Sequence, residues 1–184
     1  LLGPGMSKDQ HPLIDECFQI ANDYQKPCVL DAEALHHLKY KLRSSQHPPV
    51  LLTPHRAELM AIIGQRTFSE EAVHDFAQSD KIVLAKGRVD FISDGKQWQR
   101  NPYGNPRLAV GGTGDVLAGL CAGLLARGCS LFDAARIAVY WECASADVLW
   151  QEKGPSYLPE DLLEQLPLTL KQEMLAINSW PPLH

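Results

Sequence analysis

The sequence predicts an α/β fold, a doubly wound and mainly parallel sheet with helices on both faces, and two features carry that prediction. Three short apolar runs, Cys28-Val29-Leu30, Val50-Leu51-Leu52 and Ile82-Val83-Leu84, are separated by stretches of helical periodicity, the alternation that parallel strands and their crossover helices require. Beyond about residue 100 the helical pattern becomes continuous.

Taken in order, Leu1-Leu2-Gly3 reads as the end of a buried strand running into a loop. A helix is expected from about Pro12 to Tyr24, with Pro12 tolerated in its first turn, Ile14, Phe18 and Ala21 on one apolar face, and Lys26-Pro27 ending it. Thr53 and Ser69 precede helical runs and fit the N-cap preference, and Gly64 stands where a glycine would stop the first of them. Phe91 to Trp98 reads as a hairpin turning at Asp94-Gly95 on the sheet edge. Thr113 to Arg127 is so rich in small and apolar residues that it should be enclosed on several sides before Gly128 stops it. Phe132 to Trp150 follows, with Ala134, Ala135, Ala138, Val139, Trp141 and Val148 on the expected buried side.

Bulk properties narrow the function. The 184 residues are 45% hydrophobic and 21% charged, enough for one folded unit with a substantial core. A formal charge of -5 with scattered Lys and Arg supplies no field for gripping a polyanion, so nucleic acid is not an expected partner. The five cysteines form no paired metal or disulfide pattern and suit a reducing compartment. The longest apolar run, Val116 to Ala126, is too short for a membrane, and a cytoplasmic location is expected.

The strongest chemical signal is Gly111-Gly112-Thr113-Gly114-Asp115 at the entrance to the apolar helix. Glycines let the backbone approach a ligand, and the unpaired amides of a first helical turn converge with the positive end of the helix dipole, so phosphate oxygens are the natural guest. Asp115 would repel that anion unless it had a task, such as accepting the proton of a hydroxyl being phosphorylated. A glycine bend with Asp115 as an ordinary cap is the plain alternative. Elsewhere, His36-His37 reads as solvated surface, Asp31 as either a helix cap or a ligand at a strand end, Trp98, Trp141 and Trp150 as packing, Cys121 as a small buried hydrophobe, and Trp180-Pro181-Pro182 as a frayed tail.

The run Asn105-Pro106-Arg107-Leu108-Ala109-Val110 leading into Gly111 to Asp115 and on to Gly119 resembles the glycine-glycine-x-glycine-aspartate element of the ribokinase-like superfamily. Gly3-Pro4-Gly5, Val29-Leu30-Asp31-Ala32-Glu33-Ala34-Leu35 and Leu52-Thr53-Pro54-His55-Arg56-Ala57-Glu58 agree with it in order and spacing, and His55 points within it to the NAD(P)H-hydrate dehydratases of the carbohydrate-kinase family. The resemblance implies one ribokinase-like catalytic domain over residues 1–184 that lacks its N-terminal strands. It further implies catalytic Asp115 with Gly112, Thr113 and Gly114 as the amide cradle; substrate contacts from His55, Gly5, Asn105 and Asp115; nucleotide contacts from Lys86, Gly87, Arg88, Val89, Asp90 and Gly114; and Glu58 as the acidic member of a magnesium element. ADP or ATP would be the phosphoryl donor with Mg2+, hydrated NADH or NADPH the substrate, and a homo-oligomer a reasonable assembly. Arg56-Ala57, Ser7, Arg88, Asp90 and Glu142-Cys143 depart from the family pattern, the last pair standing where histidine-glycine is expected. A plain small-molecule kinase, or a relative that binds nucleotide without catalysis, remains open at this stage.

Overall fold

A computed structural model describes residues 1–44 and 46–176, so the expected tail at Trp180-Pro181-Pro182 lies outside the described residues. The three apolar runs form β1 (Cys28–Leu30), β2 (Val50–Leu52) and β3 (Lys81–Ala85), paired in parallel, and β4 (Asp90–Ser93) and β5 (Trp98–Asn101) add an antiparallel hairpin. The sheet order is β1-β2-β3-β4-β5. Leu2 bridges Leu30 in parallel beyond β1, as its reading as a strand end requires, while Leu1 is exposed.

Alternation along the strands assigns the two faces. Cys28, Leu30, Val50, Leu52, Val83, Ala85 and Phe91 point to one core, shared with α1 (His11–Asp23), α2 (Ala32–Leu38), α3 (Arg56–Ile63) and α4 (Glu70–Phe76). Val29, Leu51, Ile82, Leu84 and Ile92 point to the other, shared with α5 (Thr113–Ala126) and α6 (Leu131–Lys153). The β1 and β2 strands and the centre of β3 are therefore apolar throughout because both of their faces are covered. All crossover helices lie on the first face; the second is supplied by the chain after the hairpin, and α7 (Pro159–Ala176) packs outside α5 and α6. Among the described residues no helix is long and apolar enough to cross a membrane.

Local chemistry explains most boundaries. Ile14, Phe18 and Ala21 are the buried face of α1, Ser69 caps α4 by accepting the Ala72 amide, and Gly64 ends α3 with a left-handed φ of 76°. Thr53 is not the cap of α3: its hydroxyl bonds the Leu30 carbonyl across the sheet, and the imidazole of His55 caps instead. Nor is α5 enclosed on several sides. Thr113, Leu117, Ala118 and Cys121 are buried, but Asp115, Gly119 and Gly123 face outward along a groove of about 700 Å³.

Two more expectations change. Trp98 and Trp150 are exposed, Trp98 stacking on Phe91 at 5.8 Å, and Trp141 is only half-buried, its indole N–H donating to the Leu166 carbonyl at 2.7 Å. His37 is no free surface histidine: it stacks on His11 at 3.9 Å and bonds Asp15, because the partners that order it come from α1 rather than from its own helix.

The hairpin turn offers a test of the fold. Gly95 has a φ of +78°, and a Cβ there would lie 2.3 Å from the Ala77 carbonyl oxygen. Gly95→Ala should therefore cost more than the ~1–2 kcal/mol of left-handed backbone strain alone, while Gly128→Ala, with φ +91° but open space around it, should cost only that strain. Denaturant titration of both variants measures the difference.

Candidate active site

The parallel strands deliver their chemistry to one rim, as the carboxyl ends of such strands do. Asp31 follows β1, Thr53-Pro54-His55 follows β2, and Lys86-Gly87 follows β3. The Lys86 amide donates to the Pro54 carbonyl at 2.8 Å, and His55 and Lys86 bridge in parallel, so the strands' register continues into the loops. Across the end of β2, the Lys86 ammonium donates to Asp31 Oδ1 at 2.9 Å, and Asp31 makes no side-chain cap bond to α2. Of its two sequence readings, capping is the one the geometry sets aside.

The N-terminus of α5 arrives at this pair from the opposite face. A Cβ on Gly114 would lie 3.1 Å from Lys86 Nζ and 3.9 Å from Asp31 Oδ2, so glycine is what lets the first helical turn rest against the ion pair. Gly112 turns the chain with a φ of 98°, and no side chain caps the amides that follow. The Thr113 hydroxyl sits 2.7 Å from the Leu108 carbonyl and 2.9 Å from that of Val110, tying the approach loop down from within. Thr113 can serve a ligand only through its backbone N–H. The amides of Thr113, Gly114 and Asp115 have no side-chain cap and lie beside Lys86, an arrangement suited to an anion, and the exposed Asp115 belongs to the same first turn.

His55 caps α3 through its imidazole. Its Nδ1 accepts the Ala57 amide at 3.1 Å and the Glu58 amide at 3.3 Å, while Glu58 Oε2 accepts the His55 amide at 2.8 Å, a reciprocal capping box. The ring proton is thereby left on Nε2 of a largely exposed side chain. Glu58 is buried, with Oε1 3.7 Å from His36 Nε2. Its carboxylate already serves α3, and among the described residues no three His, Cys, Asp or Glu are arranged to hold a metal.

The turn after β3 is organised by Asp90, whose Oδ1 accepts the Gly87 amide at 2.9 Å and whose Oδ2 accepts Asn101 Nδ2 at 3.2 Å. Burial, its largest influence, raises the Asp90 pKa, with these bonds opposing. Arg88 is exposed and Val89 half-buried. Arg56 lies over the Phe68 ring at 4.4 Å and would meet a Cβ on Gly87 at 3.0 Å, so a residue outside the family pattern covers this turn. Gly3 and Gly5 have φ of 116° and 68°; a Cβ on Gly3 would overlap the Asp31 carbonyl at 1.7 Å, which carries the exposed Gly5 past the same rim. Asn105 is used inside the fold, accepting the Arg107 amide and the Tyr157 hydroxyl and donating to Asp147.

Sequence reasoning marked Glu142 only as a departure from the family pattern and gave it no role. It is 4% exposed, and Oε1 has no hydrogen-bond partner. Burial first, then Asp90, push its carboxyl up to about 8 against the pull of Lys86. The signal was present: Ala135, Ala138, Val139, Glu142, Ala146 and Leu149 recur at helical spacing, and one carboxyl interrupts that apolar stripe.

Fold and rim together define a ribokinase-like α/β protein with an anion cradle at the strands' carboxyl ends. Residues 1–168 match the family described as NAD(P)H-hydrate dehydratase, and the chain belongs to that family. It is 30% identical over 98% of its length to the bifunctional NAD(P)H-hydrate repair enzyme Nnr of Hyperthermus butylicus, of which it covers 35%. It is 36% identical, over 66% of its length and 44% of the relative, to the ADP-dependent (S)-NAD(P)H-hydrate dehydratase of Cenarchaeum symbiosum. Among solved structures, the ADP/ATP-dependent NAD(P)H-hydrate dehydratase of Bacillus subtilis co-crystallised with ATP/Mg2+ superposes with a TM-score of 0.65 at 32% identity, over 79% of this chain and 55% of that one. The chain thus spans about a third of the first of these relatives.

The ion pair makes a prediction independent of any ligand. Asp31 is 3% exposed, so Lys86→Met leaves its carboxylate buried without a partner and should cost about 3 kcal/mol, most of it recovered by adding Asp31→Asn. Urea titration of the single and double variants checks both statements.

Proposed function

We propose that this chain carries the nucleotide-dependent dehydration of hydrated NADH or NADPH, with ADP or ATP as phosphoryl donor. The observation that carries the reading is the convergence of the Gly112 to Asp115 turn on the Lys86–Asp31 pair, a phosphate cradle with a carboxylate at its edge. The family and the C. symbiosum and B. subtilis relatives support the substrate and the donor.

In this reading the amides of Thr113 and Gly114 and the Lys86 ammonium hold the terminal phosphoryl group and stabilise charge on its oxygens. Asp115 accepts the proton of the substrate's ring hydroxyl as that oxygen bonds to phosphorus and the phosphoanhydride bond breaks. The carbon–oxygen bond then breaks, phosphate leaves with the electron pair, and loss of a proton from the neighbouring ring carbon restores the double bond. Substrate contacts fall to the His55 Nε2–H and the Gly5 turn, and nucleotide contacts to Gly87, Arg88, Val89 and Asp90. Asn105 acts by fixing the loop before the glycines through Tyr157 and Asp147.

Bound Mg2+ would supply neutralisation of the phosphate charge. The residues fit an ion held mostly by phosphates and water, since Glu58 is committed to the His55 cap and reaches such an ion only by leaving it. We further place the chain in a reducing, cytoplasmic setting, with five free cysteines, as one catalytic domain able to assemble with further copies.

Mixing the protein with hydrated NADH, Mg2+ and either ADP or ATP should raise the reduced-nicotinamide absorbance and identify the donor. A stable phosphorylated product without that rise would indicate a plain kinase. Asp115→Asn should bind nucleotide much as the parent does while turnover falls by about 10²- to 10⁴-fold; unchanged turnover would remove Asp115 from the mechanism.

A further inference from the structure

Beneath the rim lies a group the mechanism does not use. Glu142, midway along α6, is buried in an otherwise apolar stripe, with Oε1 unpartnered. The charged and titratable groups around it come from every side. Asp90 approaches from the start of β4 and Lys86, already bound to Asp31, from the end of β3. Cys121 faces it from α5, Tyr157 from the turn after α6, and Cys143, bonded by Asn101 Nδ2 at 3.3 Å, follows it on its own helix. The thiols of Cys121 and Cys143 and the Tyr157 hydroxyl are all pushed up to about 12, chiefly by burial, and stay neutral where Glu142 titrates.

Lys86 is therefore the one cation in this set, set against Asp31 and Asp90. We propose that Glu142 is a positioning residue for the nucleotide site: as the neutral acid it leaves the Lys86 charge available to phosphate at the α5 terminus, and on losing its proton it draws that charge inward. The proposal rests on the nucleotide reading above. No hydrogen-bond donor meets Oε1 among the described residues, and Lys86 is the cation whose charge favours ionisation of this carboxyl, so loss of the proton acts on that ammonium through a medium of low polarity. The same ammonium touches the first turn of α5, so the charge drawn inward is charge lost to the cradle. Bound phosphate in turn adds negative charge nearby and favours the protonated acid, as linkage between the two sites requires.

The sign follows from the direction of the shift. A carboxyl raised from 4.5 to about 8 binds its proton more tightly in the folded chain. Fold stability falls as pH rises from about 4.5 through about 8, whereas phosphate affinity is level while Glu142 stays protonated and falls as pH passes about 8 towards the higher value the group takes with phosphate bound.

The test is calorimetric binding of ADP and ATP with Mg2+ from pH 6.5 to 9.5, by the parent and by Glu142→Gln, which copies the neutral acid. The parent should lose about tenfold in affinity across the window, the equivalent of one unit of proton linkage, and Glu142→Gln should lose less than about a third of that. Equal losses in both proteins overturn the proposal alone; no binding by either at any pH overturns the nucleotide reading and the proposal with it. A second measurement needs no variant. The infrared carbonyl band of the protonated acid should persist to higher pH when ADP is saturating, and a band that disappears at the same pH with and without ADP overturns the role of Glu142.

Discussion

The bond between Lys86 and Asp31 is the contact on which the functional rim depends. Neither residue lies on the strand between them, yet the pair spans the end of β2 and joins the loops after β1 and β3. Asp31 is nearly buried, and the Lys86 ammonium is the partner that offsets the cost of placing its carboxylate there. That ammonium can reach it only where no side chain intervenes, which is why the first turn of α5 carries Gly114 at its closest approach. One electrostatic requirement thus ties the strand ends on one side of the sheet to a helix on the other.

The same requirement sets the charge balance. A helix N-terminus and one ammonium favour an anion, while Asp31, Asp90, Asp115 and Glu142 oppose it. In the proposed function a phosphate would meet acids that are not equivalent. Asp31 is neutralised by direct contact, Asp90 is occupied by the Gly87 amide and Asn101, Asp115 is exposed to water, and Glu142 takes up a proton. Burial does not merely hide polar groups at this rim; it raises the pKa of Asp90 and Glu142.

Much of the fold was legible because periodicity is a local signal. Parallel strands of three to five residues, covered on both faces, leave apolar runs that could be little else, and Ser69, Gly64 and Gly95 mark turns and helix ends by their own backbone and hydroxyl chemistry. What failed depended on partners distant in the chain. Thr53 resembles a cap in sequence, but its hydroxyl is claimed by Leu30 on the neighbouring strand. The composition of α5 implied enclosure, whereas composition says nothing of how many neighbours arrive. At the site, the glycine turn and Asp115 could be named from their order alone; the Lys86–Asp31 pair could not, because 55 residues separate its members.

His55 resolves an apparent conflict between structural and functional use of one side chain. A hydroxyl or carboxylate cap would bond the first amides of α3 equally well and leave nothing to offer a ligand. Imidazole has a second nitrogen on the far side of its ring. With Nδ1 accepting the Ala57 and Glu58 amides, the ring is fixed at the end of β2, and its Nε2 lies 3.5 Å from Glu58 Oε2. The Glu58 carboxylate, locked by the His55 amide, keeps the pair from rotating apart. Capping fixes a half-exposed imidazole at the rim, the position from which the proposed substrate contact would be made.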